Sequence, residues 1–194
     1  MKKRTTIRIS AFLLCLCCAF FTSCKEDDGK GYVFGYDISS NPGSLDPQYA
    51  SDRESYLIIG SVFEGLFRIG ADGNAEKAMA ESYTVSDDGL TYNFKLKQNR
   101  YWTDVNGYSK KVTAADFVFG FRRLFLPETR APKASEYFCI KNSDKINSGE
   151  ITDLSQLGVT AQGDYSLTIE LQYTEPSFAM LLAMPAAMPC NEEY

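Results

Sequence analysis

Between residues 91 and 97 apolar and polar side chains alternate: Tyr92, Phe94 and Leu96 against Asn93, Lys95 and Lys97. A period of two predicts a strand with one buried and one wet face. Residues 83–85 form its partner, and Ser86-Asp87-Asp88-Gly89 is the turn between them. Asp carboxylates accept hydrogen bonds from nearby backbone N–H groups, and glycine tolerates positive φ. A second hairpin is predicted over residues 159–161 and 166–171, around Gln162-Gly163-Asp164, with Leu167, Ile169 and Leu171 as its apolar face. Residues 32–36, rich in aromatic and β-branched side chains, predict a first strand, and residues 66–69 another strand or an extended exit.

Helical spacing appears elsewhere. From Arg53, Tyr56, Ile59 and Phe63 fall on one face, Leu57 and Val62 widen it, and Gly65 ends the helix. Thr113-Ala114-Ala115-Asp116 reads as a capping box with Asp in place of Glu. The helix it opens buries Phe117, Val118, Phe121, Leu124 and Phe125, and Pro127 stops it. A shorter helix is expected over residues 132–140, followed by a polar stretch through Glu150. Pro176 opens one more helix, through Leu182. The apolar, proline-interrupted residues 184–189 are followed by no terminating element before the chain stops a few residues later, which predicts a chain cut in mid-domain.

The first residues read differently. Lys2, Lys3, Arg4 and Arg8 lead into an uncharged run from Ile9 to Phe21, then Thr22 and Ser23. A basic start, a short apolar run and small residues describe a secretory signal peptide over residues 1–23. The run is shorter than the ~20 residues of a spanning helix. Phe21-Thr22-Ser23-Cys24 resembles a bacterial lipobox, which implies a lipid on the Cys24 thiol and a membrane-anchored, exported protein. Residues 24–31 read as a flexible tether, and residues 32–194 as the folded part.

Charge and chemistry narrow the classes. Cleavage after residue 23 takes four positive charges from a chain of net charge −5, leaving −9 on 171 of the 194 residues. That argues against nucleic acid as a partner. The chain has no histidine, which excludes Ser-His-Asp and Cys-His nucleophiles and histidine-bound zinc. No carboxylate pair or Gly-rich phosphate loop stands out, so no catalytic residue, metal or cofactor is assigned. Of six cysteines only Cys139 and Cys190 lie in the folded body beyond Cys24, either paired or as two isolated small hydrophobes.

A likeness emerges from the order of several short segments. These are Ser44-Leu45-Asp46-Pro47; Val62-Phe63-Glu64-Gly65-Leu66; Ala80-Glu81-Ser82-Tyr83 with residues 86–97; Tyr101-Trp102-Thr103-Asp104; and residues 112–119 with Arg122-Arg123. Together they resemble the extracellular solute-binding proteins of the oligopeptide/dipeptide uptake family, the family 5 receptors of ABC importers. Phe125-Leu126-Pro127-Glu128-Thr129 and Leu157-Gly158-Val159-Thr160-Ala161 resemble the oligopeptide branch. The resemblance implies an α/β fold of the type II periplasmic-binding-protein kind, α+β in the part present: an incomplete first lobe plus the extra small domain. It implies a monomer that binds oligopeptide, hands it to a membrane permease and does no chemistry. It points to Ser51, Asp52 and Arg53 as ligand contacts. Lys133 stands where this branch often carries an aromatic near the peptide. Against these contacts stand a solvated loop with Ser51 or Asp52 as a helix cap, and Lys133 as an exposed first-turn residue. A receptor for dipeptide, a nickel complex or a sugar, an adhesive lipoprotein, and a gene fragment without function remain open alternatives.

Overall fold

In the computed structural model, residues 35–193 are described. The expected signal peptide, Cys24, the expected tether and residues 32–34 of the expected first strand lie outside them; Gly35 and Tyr36 are not in a strand. Met1–Asp37 and Ile38–Tyr194 are separate units, and everything below concerns the second.

The alternating segment is β4 (Thr91–Leu96), paired antiparallel with β3 (Ala80–Val85). Phe94 and Leu96 are buried as their period requires, and Gly89 in the turn has φ +72°. On its other edge β4 pairs with β8 (Ser166–Glu170), opposing Phe94 to Leu167, and β8 pairs with β7 (Val159–Ala161). The sheet order is β3-β4-β8-β7, antiparallel throughout. Two small hairpins accompany it: β1 (Phe67–Ile69) with β2 (Ala75–Lys77), and β5 (Tyr101–Thr103) with β6 (Ser109–Lys111).

Helix α1 spans Arg53–Val62, and α2 spans Ala114–Phe125. The predicted box is present on α2: the Thr113 backbone N–H donates to Asp116 Oδ2 at 2.7 Å. Helix α2 packs against β7, and Phe117, Phe121, Leu124 and Phe125 are buried in one core with Phe94, Leu96, Leu167 and Ile169. Tyr137 is wholly buried, with its hydroxyl donating to Leu181 O at 2.9 Å. Tyr92 and Trp102 pack half-buried against the same core, and Tyr92 meets Phe178 edge to face at 5.0 Å.

Several expectations need correction. Helix α1 ends at Val62, three residues before Gly65, and Phe63 is already extended. Its widening residues are not buried: Leu57 is 37% and Val62 75% exposed. The helix expected over residues 132–140 is a single 3₁₀ turn, Ala134–Tyr137, because the chain must swing round for the Ile140–Leu171 bridge. The polar stretch after it holds a short helix α3 (Ser143–Asn147), whose Ser143 and Ile146 are buried. The helix after Pro176 shortens to α4 (Phe178–Leu181), and Pro185–Ala187 is a 3₁₀ turn.

Cys139 and Cys190 are both free and buried. Burial, with Glu175 nearby, pushes the Cys139 thiol up to about 11. Its thiolate fraction at neutral pH therefore falls about a hundredfold below that of a free cysteine. Iodoacetamide should label Cys139 about a hundredfold more slowly in the folded chain than after unfolding in guanidinium. Equal rates, read by peptide mass mapping, would contradict this packing.

Carboxylates at turns and caps hold the loops. Asp88 accepts from the Ser86 hydroxyl and the Leu90 N–H, and Asp153 from the Ser155 hydroxyl and N–H. These bonds, the serine hydroxyls foremost, lower both carboxyls below the ordinary aspartate value of 3.8. A lowered folded value means the stabilisation is complete above 3.8 and is lost as pH falls through the folded values. The melting temperature should hold from neutral pH to about pH 5 and drop below the ordinary carboxylate range. A flat profile to about pH 2 would show that these bonds survive unfolding.

Candidate ligand groove

The site begins with a loop that folds on itself. Ser44 Oγ accepts from Asp46 N at 3.1 Å, and Asp46 Oδ1 accepts from Gln48 N at 3.0 Å. Tyr49 and Ala50 N–H groups both donate to Asp46 O. Pro47, Gln48 and Ala50 are buried, so the loop is seated on the body of the unit. Arg123, in the last turn of α2, locks it there. Its Nη2 bonds Asp46 Oδ2, and its Nη1 reaches Asp46 Oδ1 at 3.2 Å and Gln48 Oε1 at 2.7 Å. A fork of guanidinium N–H donors matches a carboxylate in this way. A cation near a helix C-terminus is also favoured by the helix dipole.

The seated loop delivers Asp52 to the start of α1. Asp52 is the N-cap: its Oδ1 accepts from Ser55 N at 2.9 Å, its Oδ2 from Ser55 Oγ at 2.6 Å and from Gly43 N at 3.1 Å. Those bonds, the Ser55 hydroxyl first, hold its carboxyl below the usual range. Ser51 and Arg53 on either side are exposed. Along α1 runs an open groove of about 960 Å³. Ser51, Asp52, Arg53, Tyr56 and Leu57 line one wall; Ala183, Met184, Pro185 and Met188 line the other.

Three of the four ligand residues suggested by the sequence are thus neighbours at one end of this groove. Lys133 does not line it. Its Nζ pairs with Glu136 Oε1 at 2.6 Å, and its charge is felt by Tyr56. Burial raises the Tyr56 phenol above its ordinary value; Lys133 opposes that, while Glu136 and Asp52 add to it. Lys133 and Asp52 thus both lie within electrostatic reach of Tyr56. Gln48 and Arg123 were not singled out in the sequence as site-forming. A glutamine in a proline-containing loop reads as solvated, and only its burial at 0% exposure discloses its part.

Comparison with known proteins decides the family. The model for bacterial extracellular solute-binding proteins, family 5, matches residues 74–193. The chain belongs to that family. The dipeptide-binding protein of Lactococcus lactis is 35% identical over 97% of this chain and 32% of its own length. The oligopeptide-binding protein OppA of Bacillus subtilis is 33% identical over 100% of this chain and 36% of its own. Listeria monocytogenes OppA bound to peptide superposes with a TM-score of 0.75 at 32% identity, over 80% of this chain and 30% of that one. This family 5 chain therefore spans about a third of the length of these relatives. Among its described residues no helix is long and apolar enough to cross a membrane.

Proposed function

We propose that the groove beside α1 forms part of the cleft of an oligopeptide receptor, anchored by lipid at Cys24, that delivers its ligand to an ABC permease. The observation that carries this reading is the seated loop: it holds Ser51 and Arg53 exposed at the rim, beside Tyr56, on a backbone tied down by hydrogen bonds. A preset backbone lowers the ordering cost of capturing a flexible peptide. The Asp52 carboxylate has two oxygens with about four acceptor positions, and three donors already use it. The remaining position suits a peptide α-ammonium, and charge-assisted bonds of this kind are the strong ones. Arg53 offers a fork for a carboxylate or backbone carbonyls, and Lys133 lies within electrostatic reach of Tyr56. Family membership supports solute binding in place of catalysis.

The test is calorimetry on the native protein extracted from membranes in detergent, with trialanine and N-acetyl-trialanine as ligands. Trialanine should bind, and acetylation should weaken it about tenfold by removing the ammonium. No heat with any peptide of three to five residues at millimolar concentration would sink the receptor reading. The intact mass of the same sample reports acyl chains on Cys24.

A further inference from the structure

Gln48 makes every hydrogen bond a side-chain amide can make. Its Nε2 donates to Ala186 O at 3.3 Å and Met188 O at 3.2 Å. Its Oε1 accepts from Arg123 Nη1 at 2.7 Å and from the Cys190 thiol at 2.9 Å. Two donors and two acceptor positions are all filled, at a residue with 0% exposure. The amide orientation follows from these partners, since a flipped amide would aim its NH₂ at a guanidinium.

Gln48 itself belongs to one side of the groove, and two of its four partners to the segment on the other. The loop that carries Gln48 continues into Ser51, Asp52 and Arg53 on one wall. Ala186 and Met188 belong to the segment whose Ala183, Met184, Pro185 and Met188 make the other. Arg123 and Cys190 close the network behind, and Cys190 N donates to Asp116 O on α2 at 3.1 Å.

We propose that Gln48 is a positioning residue that sets the width of the groove, and thereby the size of peptide side chain the groove admits. It touches no ligand; it fixes one wall against the other through the Ala186 and Met188 carbonyls. This rests on the receptor reading above for its consequence, though not for its geometry. Leucine at position 48 keeps the bulk and removes all four bonds. Asparagine is one methylene shorter and cannot reach both carbonyls and Arg123 together.

The experiment compares native protein with Gln48→Leu and Gln48→Asn, using trialanine and trileucine. A loosened groove should shift the ratio of the two affinities toward trileucine by about tenfold, the scale of a change in pocket volume. A ratio is insensitive to the fraction folded, so a purely structural role leaves it unchanged. Both affinities changing alike, so that their ratio stays the same, would overturn the proposal. If the unsubstituted protein binds no peptide of three to five residues, the receptor reading fails, and amide hydrogen exchange decides the geometry. Faster exchange in both residues 49–52 and residues 183–190 of either variant would support the staple; faster exchange on one wall only would overturn it.

Discussion

Replacing Arg123 with methionine is expected to lower the folding stability of this chain by about 2–3 kcal/mol, read from urea unfolding. Methionine keeps much of the volume and takes away the charge. Asp46 is then left against the body of the unit, facing the place where the guanidinium lay, and Gln48 Oε1 loses its shortest partner at 2.7 Å. Breaking a fully buried ion pair costs about 3–5 kcal/mol. Here the side chains of Arg123 and Asp46 keep 25% and 32% of their exposure, so water recovers part of that loss. The hydrogen bond to Asp46 is also the foremost reason that the guanidinium is held above its ordinary value. Adding Asp46→Asn to the methionine variant should restore part of the stability, because the stranded charge is gone. If Arg123→Met alone changes stability by under about 0.5 kcal/mol, the pair behaves as an ordinary surface ion pair and the loop is seated by Pro47 and Ala50.

The parts of the fold that sequence reads well are those where one local rule acts alone. The β3–β4 turn, the alternation along β4, the β7–β8 hairpin and the Thr113–Asp116 box each depend on residues within a few positions of one another. Residues 132–150 read poorly because tertiary pairing overrode the local pattern. The Ile140–Leu171 bridge forces a turn where spacing suggested a longer helix, and Ile146 anchors a helix in a stretch otherwise polar. Spacing makes Leu57 and Val62 widen the apolar face of α1, yet spacing cannot tell a second buried face from one lining an open groove. The rim of the groove was legible through the segment around Asp46-Pro47, but its support was not. Gln48 meets Ala186, Met188 and Cys190 about 140 positions away, and no local signal in a single sequence announces such a contact.

Gly120 supplies the second large effect. It lies inside α2, where glycine is unfavourable by about 1 kcal/mol relative to alanine, so the local rule favours replacing it. Packing reverses that sign. A Cβ at this position would stand 2.8 Å from Met188 O and 3.4 Å from Cys190 N, both backbone atoms. Neither has a flexible side chain to yield, so the segment or the helix must move as a body. Overpacking of this kind costs about 1–3 kcal/mol, and the upper part of that range applies when backbone is the obstacle. Against the gain in helix propensity, Gly120→Ala should therefore destabilise by about 2 kcal/mol. The displaced atom is the same Met188 carbonyl that Gln48 Nε2 holds at 3.2 Å. The substitution should thus also speed hydrogen exchange across residues 183–190, while β3 and β4 keep their protection. A more stable Gly120→Ala protein would mean that α2 and the 188–190 segment do not approach this closely, and the second wall of the groove would need to be placed differently.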